Sequence, residues 1–149
     1  MGYSHYWKFF KGSKTAAETE KAYKKAILEC QKVAKAYQKT ATGNERLSGY
    51  TVNTKDGQYG GLNINGKGDE GCEMFMMREH FNQNESFGFC KTYQRPYDTV
   101  VVACLAILKY RLKDAFNVSS DGHHAEWNYG VELANKVLKR KIKNPIGLK

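Results

Sequence analysis

At 149 residues, 41% of them hydrophobic and 26% charged, the chain carries enough apolar material for one core and falls within the usual size of one domain. Lys and Arg outnumber Asp and Glu by 24 to 15, and the resulting +9 favours anionic partners such as nucleotides, nucleic acid or an acidic protein face. The longest apolar run, residues 100–108, spans nine residues against the roughly 20 needed to cross a membrane. Gly-Tyr-Ser-His-Tyr-Trp follows Met1 without an apolar signal region, and the four cysteines contain no C-x-x-C pair. A reduced, cytosolic protein without disulfides or membrane contact is expected.

Residues 3–10 are aromatic and alternate, which predicts a strand with Tyr3, His5, Trp7 and Phe9 on one face. Gly12-Ser13 breaks it. Thr15-Ala-Ala-Glu18 has the spacing of a capping box, opening a helix that runs to about residue 42 and is closed by Gly43. Its apolar stripe is Tyr23, Ala26, Ile27, Cys30, Val33, Ala34 and Tyr37, with lysines on the solvent side. Short glycine-bounded strands are predicted over residues 47–53, 62–65, 73–78 and 87–92, with turns at Asp56-Gly57 and Asn65-Gly66. Glu73 and Arg78, five apart in one such strand, would face opposite sides.

Pro96 suits the first turn of a second helix, predicted from Tyr97 to Phe116 and apolar on all sides between residues 100 and 108. Residues 117–119 form a short strand, and a last helix runs from His124 to about residue 143, burying Trp127, Val131, Ala134, Leu138 and Ile142. The order β-α-β-β-β-β-α-β-α describes a single α+β domain over residues 1–149, with a mixed, mostly antiparallel sheet covered by helices.

Polar residues bracket the apolar helix. Ser119, Ser120, Asp121, Gly122, His123 and His124 form a strand-to-helix junction, where free N–H groups, hydroxyls and imidazoles would cradle an anion; plain helix capping accounts for part of the same set. Lys91 suits a phosphate, Thr92 ends the strand beside it, and Asp98 either holds a ribose hydroxyl or favours the helix dipole. His5 is a satisfied sheet histidine or a base, and with His123 or His124 it would make a dyad for phosphodiester hydrolysis. Cys90 reads as packing. Gly61 to Lys67 fits the start of a phosphate-binding loop, but Gly68 stands where Ser or Thr should hold the metal. No metal-ligand spacing is present and no cofactor is implied.

At Gly2-Tyr3-Ser4-His5-Tyr6-Trp7, Phe89-Cys90-Lys91-Thr92, Pro96-Tyr97-Asp98 and Val118-Ser119-Ser120-Asp121-Gly122, the chain resembles a family of small uncharacterised accessory proteins of tailed bacteriophages and prophages. Ser4 replaces a usual Thr, Arg95 a usual Lys, and Trp127 follows the last motif. The resemblance implies an accessory protein acting in the cytoplasm of a host bacterium and implies no activity; small phage accessory proteins of this kind are often counter-defence factors. The resulting expectation is a binder that sequesters a nucleotide-derived immune signal. The phosphate would sit on Lys91 and the 119–124 junction, and the base against Tyr6, Trp7 or Tyr97. Two alternatives stand beside it: a hydrolase using His5 with His123 or His124, and a basic inhibitor docking on a host defence complex through its lysine-rich helices. Nucleic acid would bind weakly and without specificity, and a homo-oligomer stays open.

Overall fold

A computed structural model describes residues 2–51, 61–82 and 87–147. The strand β1 (Ser4–Phe9) alternates as its sequence requires, burying His5, Trp7 and Phe9 and leaving Lys8 in solvent. In α1 (Ala16–Thr40) the Thr15 hydroxyl accepts from the Glu18 N–H at 3.1 Å and donates to the Glu18 carboxylate at 2.9 Å. This helix ends at Thr40, two residues short of expectation. The N–H of Ala41 still reaches the Tyr37 carbonyl, but its backbone is extended, and Gly43 opens a separate 3-10 turn at φ 56°.

Three short strands follow, β2 (Leu47–Thr51), β3 (Leu62–Gly66) and β4 (Phe75–Met77), and then β5 (Gly88–Lys91). The Asp56-Gly57 turn lies outside the described residues. Glu73 lies outside β4. Its N–H reaches the Lys91 carbonyl at 3.0 Å and its carboxylate accepts the Lys91 N–H at 3.0 Å, so it clamps the end of β5 instead. Both Glu73 and Arg78 are exposed.

The apolar helix α2 (Asp98–Leu112) begins two residues after Pro96 and buries every residue from Val100 to Leu108. It lies between α1 and α3 (His124–Leu138), with β6 (Phe116–Ser120) leading into α3. Gly130 of α3 permits that approach: a Cβ there would stand 2.4 Å from Val102 Cγ1 and 2.8 Å from the Thr99 carbonyl oxygen.

The α+β class holds, but the strands divide into two three-stranded sheets, β5-β1-β6 and β2-β3-β4, and every pairing is antiparallel. The expected parallel component is absent among the described strands. The helix α3 also stops five residues early. Lys139 turns left-handed at φ 54°, and the Asn135 side chain then bonds both the N–H and the carbonyl of Ile142. Ile142 still reaches the core at 4% exposure, carried there by a chain reversal instead of a helix turn. No helix among the described residues is long and apolar enough to cross a membrane.

Glu29 of α1 ties the two outer layers together. Arg111 of α2 grips it with two hydrogen bonds of 2.8 and 3.0 Å, and Arg140 beyond α3 donates to its second oxygen. Burial pushes this carboxyl up, but the hydrogen bonds and charges of Arg111 and Arg140 outweigh it and hold the group below its ordinary 4.5. A carboxylate depressed on folding contributes stability above its unfolded value, and that stability is lost as pH falls through the folded value. The melting temperature should therefore fall as pH drops below about 4.5. Glu29→Gln should flatten that acid limb, and an unchanged limb in thermal melts would remove the cluster from the account.

Candidate functional site

The three segments singled out in the sequence meet around β1. As the middle strand it pairs on one side with β5, His5 opposite Cys90 and Tyr6 opposite Phe89, and on the other with β6, His5 opposite Ser120 and Tyr6 opposite Ser119. That register sends odd-numbered β1 residues toward the helices and even-numbered ones outward.

On the inner face, His5 is fully buried. Its Nδ1 lies 2.7 Å from Ser120 Oγ and its Nε2 lies 2.6 Å from Asp98 Oδ1. Thr92 donates its hydroxyl to the same Asp98 oxygen at 2.6 Å, and the Gly122 N–H donates to Ser120 Oγ at 2.8 Å. An ionised Asp98 only accepts, so Nε2 carries a proton. In the neutral ring Nδ1 then accepts from the Ser120 hydroxyl. The imidazole is held edge-to-face between Tyr3 and Trp127, with ring centroids 5.3 and 5.2 Å away. Burial, reinforced by the Asp98 and Glu126 carboxylates, holds the Tyr3 phenol well above its ordinary range, so it stays a neutral donor. Gly122 makes room for it: a Cβ there would stand 2.1 Å from the Tyr3 oxygen.

This arrangement revises several expectations. Among the described residues no hydrogen bond joins His5 to His123 or His124, because Ser120 and Asp98 take both ring nitrogens. Both ring nitrogens of the buried His5 are thus engaged within the protein, and neither His123 nor His124 is among their partners. His124 instead pairs through Nδ1 with the Ile146 carbonyl at 2.6 Å. The anion cradle at the start of α3 is largely filled by the protein's own groups. Glu126 accepts the His123 N–H at 2.9 Å, Ser120 accepts the Gly122 N–H, and Asp121 accepts the Ser4 N–H at 2.9 Å. Asp98 serves the network and not a ribose. Trp7 and Tyr97, expected against a base, face the core at 7% and 0% exposure, and Tyr97 gives its hydroxyl to the Glu73 carbonyl. Thr92 is buried as well.

Cys90 is packing, as its parity suggested. Its thiol donates to the Glu73 carbonyl, and burial together with Glu73 pushes it up to about 12, far from a useful nucleophile. The segment that mimicked a phosphate loop is β3 followed by a 3-10 turn. Among the described residues no group of three or more His, Cys, Asp or Glu is placed to hold a metal.

The outer face of β5-β1-β6 is different in kind. Alternation brings Phe89, Tyr6 and Ser119 into one row, with Lys91, Ser4 and Asp121 beyond it, and Lys8 beside Asn117 on the other side. Phe87 and Phe89 are 60% and 57% exposed, with their ring centroids 6.1 Å apart. Tyr6 stacks on Phe87 at 6.2 Å and 24°. Of these, Tyr6 and Lys91 are candidate ligand contacts from sequence, whereas Phe87, Phe89 and Lys8 join them only through the strand register. Their signal was the shared parity of residues 87, 89 and 91 in one strand.

Neither family models nor searches of curated proteins and solved structures returned a match. The geometry therefore carries the functional argument.

Proposed function

We propose that the protein binds a nucleotide-derived ligand on the outer face of β5-β1-β6, stacking the base on the aromatic rings and meeting the phosphate with lysine. One observation carries this reading: Tyr6 of β1, Phe89 of β5 and Phe87 just before β5 form a solvent-facing aromatic patch, with Lys8 and Lys91 on the same face. Exposed aromatic rings on a sheet accept any base through its π-face, at about 1–3 kcal/mol per base. The net charge of +9 favours an anion over a neutral heterocycle. Asp121, at the far end of the face, accepts from Ser4 and Tyr6, which leaves Lys91 as the cationic corner. In a phage-infected bacterium such a binder would hold a nucleotide immune signal away from its receptor.

Titration calorimetry with purine mononucleotides and cyclic dinucleotides tests the reading. Tyr6→Ala and Phe89→Ala should each weaken binding by roughly 5- to 150-fold, the equivalent of one stacking contact. Lys91→Ala should cost roughly ten- to a hundredfold through a lost charge-assisted contact. Melting temperatures should barely change for Phe89→Ala, whose side chain is mostly in solvent. Single-stranded oligonucleotides should bind weakly and fade with salt. Tight, sequence-selective retention of DNA or RNA would overturn the small-ligand reading, and so would the lack of heat on adding any nucleotide.

A further inference from the structure

We propose that Ser120 is an activated nucleophile and that the protein has serine esterase activity toward a small acyl ester. Three observations combine. His5 bridges Ser120 Oγ and Asp98 Oδ1 at 2.7 and 2.6 Å, the connectivity of a nucleophile, a base and an orienting carboxylate. Asp98 is itself fixed by Thr92, and the imidazole by Tyr3 and Trp127, so the base has one orientation. Ser120 also lines a cavity of about 450 Å³ at the β6–α3 junction, together with Val118, His124, Ala125 and Ile146. The nitrogens are used in the reverse of the commonest order, with Nδ1 toward serine. The proton relay needs only that one ring nitrogen face the hydroxyl and the other the carboxylate.

The step balances without a metal or a redox partner. The Ser120 proton passes to His5 Nδ1 as Oγ bonds to the ester carbonyl carbon, and the carbonyl π pair moves onto oxygen. Oγ keeps the Gly122 N–H that it already accepts, and the negative charge comes to rest on the former carbonyl oxygen as the tetrahedral adduct forms. Collapse of the tetrahedral adduct breaks the bond to the alkoxy group, which leaves as an alcohol with the proton from Nδ1. Water then attacks the acyl carbon as its proton passes to Nδ1, the C–Oγ bond breaks with that proton returning to Oγ, and the acyl group leaves as a carboxylic acid. The aliphatic part of the cavity lining, Val118, Ala125, Pro145 and Ile146, suits a short acyl chain and not a second charged group. Ser120 touches the reacting carbon and His5 moves the proton; Asp98 is a positioning residue.

The test is independent of nucleotide binding. The full chain is treated with diisopropyl fluorophosphate, in which serine attack forms an O–P bond and expels fluoride. Intact mass and peptide mapping then locate the adduct. A single adduct on Ser120 in the native protein, lost on heat denaturation and in Ser120→Ala, is the expected result. Asp98→Asn, with its melt still cooperative, should slow labelling tenfold or more, on the order expected when the orienting carboxylate fails. p-Nitrophenyl acetate should show a nitrophenol burst of one equivalent per chain. The unmodified protein decides the matter alone, because an unlabelled Ser120 overturns the proposal whatever the variants do. Labelling of Asp98→Asn at the wild-type rate overturns it too, since a merely structural Asp98 would leave that rate unchanged.

Discussion

Leu105→Ala should destabilise the protein by about 2–5 kcal/mol, the cost of deleting buried methyl groups and leaving a cavity that neighbours only partly refill. Leu105 is fully buried in the middle of α2, and Val101, Val102, Leu108 and Ala106 around it are buried as well. Because α2 is flanked by α1 and α3, no face of it can relax into solvent. For a chain of this size that loss corresponds to a fall in melting temperature of roughly 5–20 °C. Leu28→Ala is the control: at 65% exposure it should shift stability by no more than about 0.5 kcal/mol. A circular-dichroism melt in which the two variants behave alike would mean that α2 is not the central element.

The second large effect concerns the polar network. Asp98→Ala should cost about 3 kcal/mol, because it removes one acceptor shared by two donors. The fully buried His5 would lose its Nε2 partner, and the buried Thr92 hydroxyl would lose its acceptor at 2.6 Å. Each orphaned group costs about 1–3 kcal/mol, so the two together cost roughly 2–6, and the 15% exposure of the Asp98 side chain keeps the sum in the lower half of that combined range. Asp98→Asn should recover most of the loss, since its amide oxygen still accepts from both donors. Denaturant unfolding of the pair separates hydrogen bonding from other effects. Equal stability of Asp98→Ala and the unmodified protein would show that water satisfies His5 and that the network is not closed. His5→Ala should destabilise too, as the reading of His5 as a satisfied sheet histidine requires.

The elements whose burial is written in local periodicity were legible. A run apolar on all sides, residues 100–108, can only be a buried helix in a chain this short, and α2 is that helix. The Thr15–Glu18 spacing and the three-and-four stripe from Tyr23 to Ala34 located α1, because both signals act within a few residues of chain. Parity alone placed Cys90 opposite Phe89 and Lys91. Helix ends were less well read: Ile142 kept the spacing of α3 while reaching the core through a left-handed residue at 139 and an Asn135 clasp.

What the sequence by itself determined, then, is which residues turn inward and which elements they form, since the periods of helix and strand are local properties. Only the tertiary structure decided who stands beside whom. Nothing within residues 3–10 specifies that β1 takes β5 on one side and β6 on the other, with residues 5 and 120 in register across 115 positions of chain. Strand partners and register come from long-range packing of the whole core, so the His5 that reads in sequence as a satisfied sheet histidine or a base acquires its actual partners, Ser120 and Asp98, only in the fold. The same register, by setting the outward even-numbered residues of β1 opposite the outward odd-numbered ones of β5, assembles Tyr6, Phe87 and Phe89 into a surface that no contiguous segment encodes.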